Sequence, residues 1–320
     1  MSHENNEKQT IVITGGAGFV GSNLTRRVKS AGYPVEILSR TTGTDLLNLD
    51  QTTSFFEKVR PSIVIHCAAD VGGIAYGDKH PVQIFENNML MGMNLVKAMN
   101  RVGVKGLINI MPNCIYPGHL TLYKEEEWWN GPIHPSVLAY GLPRKALWGL
   151  CEAYKKENGF KSAHLVFPNM YGPGDHMDPV RSHALGGLIQ KICLAKKNDQ
   201  KTVEIWGTGR PIREWMYVED AAEAIRLALQ SFPTLHETIV NVGIGKGISV
   251  LESAQIIAKT VGWNGDFVFN TSYPDGAAEK RLDSSLFKRL FHWEPPTPLR
   301  EGIEKTIDWY RSLITPDRPQ

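Results

Sequence analysis

Cysteine is scarce in this chain: 4 in 320 residues, at Cys67, Cys114, Cys151 and Cys193, widely separated along the sequence. There is no CxxC pair and no His-x-x-x-His, so neither a disulfide framework nor a zinc site is written here, no metal is expected, and a reducing cytoplasm is the natural compartment. Long apolar runs are missing too. No stretch approaches the ~18 uninterrupted apolar residues of a membrane helix, and the opening MSHENNEKQT is too polar for a secretory segment, so a soluble protein off the membrane is expected. Charge of one sign is also lacking: 35 Lys+Arg face 33 Asp+Glu, a net charge of +2. Such a balance offers no whole-molecule field to hold nucleic acid or an anionic membrane, so neither is an expected partner and any anionic ligand has to be gripped locally. Internal repeats and low-complexity tracts are absent as well. What remains, 42% hydrophobic and 21% charged, is an ordinary globular composition, and the length allows about two domains.

The apolar segments are short and β-branched, alternating with helical patterns. Thr10–Thr14 reads as a strand buried on both faces, followed by a helix at Asn23–Lys29 that ends at Ala31-Gly32. Further strands are expected at Pro34–Leu38, Ser62–His66 and Gly106–Met111, and helices at Asn87–Val102 and Tyr140–Tyr154. Fully apolar strands alternating with helices imply an α/β fold, a Rossmann-like doubly wound parallel sheet. Past residue 168 glycine and proline become frequent. The helices Asp220–Leu229, Ser249–Val261 and Leu299–Tyr310 and the strand Thr238–Val242 then suggest a smaller mixed α/β substrate domain interleaved with the first. The division expected is 8–168 plus about 216–245 for the dinucleotide, and 169–215 plus about 246–312 for the substrate.

The strand at Thr10–Thr14 enters Gly15-x-x-Gly18-x-x-Gly21, with Phe19 and Val20 between the last two glycines. Strand, glycine turn and helix N-terminus in that order make a phosphate cradle, because the glycines let the backbone approach a pyrophosphate and the helix offers unpaired N–H groups. At the tip of the second strand stands Ser39-Arg40-Thr41. No carboxylate is there for the ribose 2′-hydroxyl of NAD, and Glu36 lies too early, so Arg40 points to a 2′-phosphate and to NADP(H). Asp45 and Leu46, ahead of the next helix, are candidates for the adenine pocket. Tyr140 and Arg144 lie four apart on one helix face, the arrangement in which a phenol donates a proton beside a cation that stabilises its phenolate.

Thr14-Gly-Gly-Ala-Gly-Phe-Val-Gly21, Ala68-Ala69-Asp-Val-Gly-Gly-Ile74, Asn113-Cys-Ile-Tyr-Pro117, Tyr140 with its +4 cation, Asn169-Met-Tyr-Gly-Pro173, Ser182-His183 and Trp206-Gly-Thr-Gly-Arg-Pro-Ile-Arg213 follow one another. In that order they resemble the extended short-chain dehydrogenase/reductases and, within them, the GDP-L-fucose synthase group, over nearly the whole chain. The resemblance implies an NADP-dependent 3,5-epimerase/4-reductase of a GDP-linked 4-keto-6-deoxy hexose or a related sugar or heptose, working as a homodimer. It implies that Tyr140 protonates the C4 oxygen and that Cys114 and His183 are the base and acid inverting C3 and C5. Ala68 and Ala69 join the cofactor site. Asn169 lies near the sugar, Lys191, Arg213 and Lys280 hold the diphosphate, and Trp206 packs beside the base.

Two positions depart from the group. Its catalytic Lys is Arg144 here, which stays protonated and cannot relay a proton, and its Ser or Thr two residues before the cysteine is Pro112, which has no hydroxyl. Asn113 is a nearby donor, but on a continuing strand it would face away from the Pro112 side. Lys145 lies ~140° around the helix from Tyr140 unless Pro143 distorts the turn. The alternatives left open are a nucleotide-sugar C4 reductase or dehydrogenase without epimerisation, and a catalytically degraded NADP-binding protein.

Overall fold

The structure is a computed structural model that describes residues 10–176, 182–235 and 239–314. The first half alternates strand and helix: β1 (Ile11–Thr14), α1 (Phe19–Ser30), β2 (Val35–Leu38), α2 (Leu49–Val59), β3 (Ile63–His66), α3 (Ile74–Lys79), α4 (Pro81–Arg101), β4 (Gly106–Pro112), a two-residue β5 (Leu122–Tyr123), α5 (Leu138–Asn158) and β6 (Lys161–Phe167). Then come β7 (Asn169–Tyr171), α6 (Ala184–Lys197), β8 (Thr202–Trp206), β9 (Ile212–Arg213), β10 (Trp215–Tyr217), α7 (Val218–Gln230), a single turn α8 (Phe232–Leu235) and β11 (Ile239–Asn241). The chain finishes with β12 (Ile248–Ser249), α9 (Val250–Val261), β13 (Asp266–Asn270), β14 (Glu279–Leu282), α10 (Ser285–Phe291) and α11 (Leu299–Ile314). Among the described residues no helix is long and apolar enough to cross a membrane.

Six strands form one parallel sheet in the order β11-β6-β4-β3-β1-β2. The order reverses beside β1, which leaves a crevice at the carboxyl ends of β1 and β3, the place where such sheets take ligands. β1 is buried along its whole length and its residues sort by parity. Ile11 and Ile13 pack with Leu24 and Val28 of α1 and Ile225 and Leu229 of α7, while Val12 packs with Phe56 of α2, Leu95 and Met99 of α4 and Leu147 of α5. A separate apolar core joins α6, α9 and α11 around Val203, Ile205, Trp215 and Tyr217.

The element boundaries differ from the sequence expectation for local reasons. α1 starts at Phe19, directly after Gly18, so Gly21 lies inside its first turn instead of in the loop before it. α4 begins earlier, at Pro81, whose missing N–H costs nothing at a helix start. α5 runs from Leu138 past Pro143 to Asn158, where Gly159 at φ +66° ends it. β4 closes at Pro112 and Asn113–Ile115 is a 3-10 turn. The late strand expected from Thr238 is seen as β11 at the edge beside β6, and Thr238 itself lies outside the described residues.

Candidate functional site

The glycine loop is packed to the limit of backbone contact. Gly15 has φ +66°, and a Cβ there would meet the Ala68 Cα and N at 2.8 Å. A Cβ on Gly21 would lie 2.1 Å from the Gly15 carbonyl oxygen, so the loop closes onto α1 only with glycine at both positions. No side chain caps α1, whose first turn, with Phe19 and Val20, carries no acidic residue. Its first-turn N–H groups are left uncapped by side chains next to the loop where Gly15 meets Ala68, and a dinucleotide pyrophosphate fits that cradle. At the end of β2, Arg40 is exposed; its carbonyl accepts the Gly43 N–H at 3.1 Å, while its side chain makes no hydrogen bond among the described residues, leaving the guanidinium available for a phosphate. Asp45 accepts the Leu47 N–H at 3.0 Å, and Leu46 is buried with its carbonyl bound by Asn94 at 2.9 Å.

Tyr140 and Arg144 both lie on α5, but their side chains have different surroundings. The phenol is half-buried, and burial pushes its pKa up to about 12, with Arg144 pulling it down and Cys114 raising it. Arg144 is buried: Nη1 donates to the Ala68 carbonyl at 3.0 Å and to His66 Nε2 at 3.1 Å, and Nη2 donates to the Ile110 carbonyl. Three of its five N–H groups are thus committed to the ends of β3 and β4, and Nε is buried without a partner among the described residues. Lys145, the alternative cation, is turned into a box of aromatic rings. Its Nζ donates to the Trp128 carbonyl and lies 4.0 Å from the Trp129 ring centre, and burial lowers its pKa. It offers no rescue beside Tyr140. Because β4 stops at Pro112, strand alternation does not extend to Asn113, whose Nδ2 is buried without a hydrogen-bond partner among the described residues.

Gly141 brings α5 against the turn that carries Cys114: a Cβ there would stand 2.7 Å from the Cys114 carbonyl. The Cys114 thiol is buried, and burial pushes its pKa up to about 11 against the pull of Lys280 and Arg144. Lys280, on β14, has its own pKa lowered by burial, raised by Cys114 and lowered by Arg213, its register partner on β9. Arg213 is buried and donates to the Ile212 carbonyl at 2.8 Å and the Asp275 carbonyl at 2.9 Å. Asp275 in turn accepts the Thr208 N–H at 2.7 Å and hydroxyl at 2.8 Å. Two residues before it, Tyr273 stacks on Trp206 with ring centres 4.3 Å apart. Lys191 lies 4.5 Å from the Trp206 ring centre and donates to the Glu204 carbonyl, while the indole N–H donates to the Glu204 carboxylate at 2.7 Å. Lys280 thus acts electrostatically on Cys114 and pairs in register with Arg213, which is bonded to Asp275, and two residues before Asp275 Tyr273 stacks on Trp206 beside Lys191. Asn169 is half-buried on β7, paired in register with Trp215. His183, at the start of α6, gives no side-chain cap to that helix and instead pairs with Asp175.

Residues 11–243 match the NAD dependent epimerase/dehydratase family. The chain belongs to this family. Among its relatives is the GDP-L-fucose synthase of Azorhizobium caulinodans, 34% identical over 301 residues that cover 94% of this chain and 96% of the relative. The fold superposes on a GDP-L-fucose synthetase from Naegleria fowleri bound to NADP, with TM-score 0.82, 26% identity and coverage of 96% of this chain and 95% of the other. It also matches a GDP-mannoheptose C4 reductase from Campylobacter jejuni with NADP bound, at TM-score 0.83, 25% identity and coverage of 96% and 99%.

Within this epimerase/dehydratase chain, sequence reasoning overlooked His66, Asp175, Tyr273 and Asp275. His66 closes a strand whose apolar run gave no reason to single out its polar end. Asp175 and Asp275 carry a signal that could have found them, an acidic residue just after a Gly-Pro-Gly or Tyr-Pro turn, but the spacing names no partner. Their partners are His183, eight residues further along, and Thr208, which the fold brings from 67 positions away.

Proposed function

We propose that this protein is an NADP(H)-dependent epimerase/reductase acting on a GDP-linked 4-keto-6-deoxy hexose or a related 4-keto sugar or heptose. The observation that supports the reading is the approach of Gly141 to the Cys114 carbonyl, which packs the helix of Tyr140 against the turn of Cys114, close enough for Cys114 to raise the pKa of the phenol. In this reading Gly15, Gly18, Phe19, Val20 and Gly21 cradle the cofactor pyrophosphate. Arg40 takes the 2′-phosphate, Asp45 and Leu46 flank the adenine, and Ala68 and Ala69 pass beside the rest of the cofactor. NADPH, when bound, supplies the hydride for C4, and Tyr140 supplies the proton for the C4 oxygen.

Epimerisation uses the acidity of the C–H bonds next to the C4 ketone. Cys114 removes such a proton as thiolate, favoured by the ammonium of Lys280, and His183 returns a proton from the other face. Arg144 acts on Tyr140 through its charge while its N–H groups brace the sheet ends. Asn169 contacts the sugar, Lys280 and Arg213 meet the diphosphate, and Lys191 and Trp206 flank the base. Residues 8–168 with about 216–245 form the cofactor part and 169–215 with about 246–312 the sugar-nucleotide part, in the manner of doubly wound folds. Exposed apolar side chains on the adjacent helices α4 and α5, Val82, Phe85, Leu90, Met93, Leu138 and Leu142, support a homodimer formed through these helices. The four free cysteines favour the cytoplasm.

A second reading, C4 reduction without inversion, draws on the likeness to the C4 reductase and on Pro112 and Arg144. Incubation with GDP-4-keto-6-deoxy-mannose and NADPH in D2O separates the two. Deuterium at C3 or C5 together with stoichiometric NADPH oxidation is the expected result. NADPH oxidation without deuterium leaves the reductase, deuterium without oxidation leaves an epimerase, and neither, with NADP still bound, leaves a binding protein.

A further inference from the structure

Asp175 has no part in the mechanism given so far, yet it is buried at the edge of the cofactor cradle. Its loop is tied to α1, where Asn23 Nδ2 donates to the Pro173 carbonyl at 3.0 Å and Gly174 lies against Phe19, Ser22 and Asn23. The Asp175 side chain is 4% exposed; Oδ1 meets His183 Nδ1 at 3.1 Å and accepts the His176 backbone N–H at 2.7 Å. Oδ2 is buried and has no hydrogen-bond partner among the described residues. Leaving a carboxylate oxygen unpaired in the interior is costly, so this carboxylate is held in place against its own desolvation. The room for it comes from Gly186 in the first turn of α6: a Cβ there would stand 2.8 Å from Oδ2.

The His183 side chain is 33% exposed. With Nδ1 bound to Asp175, Nε2 is the nitrogen left for solvent or substrate. Burial pulls the imidazole pKa down, the hydrogen bond and charge of Asp175 push it up, and the net is a raised pKa. Asp175 is the one charged group acting on the ring among the described residues. His176, next to it on the loop, is exposed, and Lys191 further along α6 is held by Glu204 and Trp206.

We propose that Asp175 is a positioning residue that holds the His183 imidazole by Nδ1, so that Nε2 carries the proton delivered to the substrate carbon during epimerisation. This rests on the reading of His183 as the acid. The step balances without redox chemistry. Cys114 thiolate takes the proton next to the ketone and the C–H electron pair moves into the enolate. The enolate carbon then takes the Nε2 proton on its other face, and the neutral imidazole, still bound to Asp175, regains a proton from solvent. An acid must be protonated to work, so uptake of solvent deuterium should fall as pH rises through the His183 pKa.

The test uses the full chain with labelled histidine, His183 being assigned by its loss in His183→Gln. In Asp175→Asn the His183 titration is expected to move down by about one pH unit, with the high-pH limb of deuterium uptake moving by the same amount and uptake at pH 8 falling about tenfold. Asp175→Glu should recover part of both, and NADPH binding should stay unchanged. Gly186→Ala, which crowds Oδ2 without removing the carboxylate, should move both readouts in the same direction and serves if Asp175→Asn fails to fold. An unmoved His183 titration overturns the proposed pairing whatever His183 does in catalysis. A moved titration with an unmoved uptake profile overturns the reading of His183 as the acid, and with it the role given to Asp175.

Discussion

Arg144 Nη1 donates to His66 Nε2 at 3.1 Å, and that bond decides the state of the histidine. A guanidinium has no lone pair to offer, so Nε2 must accept and Nδ1 must carry the hydrogen, which points at Thr14 Oγ1 2.8 Å away. Burial and the neighbouring guanidinium both lower the His66 pKa well below its ordinary value, in keeping with a neutral ring. Through this chain the helix of Tyr140 is tied to β3 and to the end of β1, where the glycine loop begins.

Arg144→Met would take its donors from the buried Ile110 carbonyl, the partly buried Ala68 carbonyl and the His66 lone pair. A loss of about 3–5 kcal/mol in urea unfolding is expected, because the partners stay buried and unpaired. Arg144→Lys keeps a donor and should lose about 1–2 kcal/mol. Tyr140→Phe removes a hydroxyl that makes no hydrogen bond among the described residues, so its unfolding curve should match the wild type while NADPH oxidation falls about a hundredfold or more.

Acid should weaken the fold through a second buried histidine. His164 accepts or donates only within the interior, to Ser162 at 2.9 Å and Asn109 at 3.2 Å, and burial lowers its pKa to about 3. Its folded pKa lies below the unfolded value of 6.5, so the unfolded chain binds more protons between the two, and stability falls as pH drops from about 6 toward 3. The expected slope is up to about 1.4 kcal/mol per pH unit from this residue, to be read from urea unfolding at pH 7, 6 and 5. His164→Gln should flatten that slope. His183 works in the opposite sense, since its raised pKa adds stability below 6.5 that is lost as pH rises through the folded value.

Cofactor binding should depend on the glycines and on Arg40 in different ways. Gly21→Ala forces the loop away from α1 and should weaken NADPH binding, followed by nicotinamide fluorescence, by about tenfold or more while also lowering stability. Arg40→Ala touches an exposed side chain, so unfolding should be unchanged while the preference for NADPH over NADH falls about tenfold or more.

The ammonium beside the thiol makes a kinetic prediction. Lys280→Gln removes a charge that holds the Cys114 pKa down against burial, which together leave it at about 11. Deuterium uptake at pH 8 should drop about tenfold, and its rise with pH should shift to higher pH, because a smaller fraction of thiolate is present. Cys114→Ser should abolish uptake at all pH values while leaving NADPH binding intact.

Local periodicity determined much of this protein. The β-branched run before Gly15 could only be a strand buried on both faces, and a strand feeding glycines into a helix start makes a phosphate cradle from backbone alone. The four-residue step from Tyr140 to Arg144 put both on one helix face for the same reason. None of that required knowledge of distant residues, because hydrogen-bond ladders and helix pitch are set within a few positions of the chain.

Side-chain destinations were another matter. Arg144 shares a face with Tyr140, yet its guanidinium is drawn to carbonyls 34 and 76 positions away and to a histidine 78 away, since a buried cation has to find acceptors wherever the fold supplies them. Lys145, one residue further on, met the same need with the Trp128 carbonyl and the tryptophan rings. The electrostatic influence of Lys280 on Cys114 likewise joins a strand to a turn far away in the chain. The sequence alone determined the sheet, the glycine turn and most of the polar residues described above, though not His66, Asp175, Tyr273 or Asp275. Only the tertiary structure decided which of them face each other, because burial obliges every charge to be answered by a partner that chain order does not name.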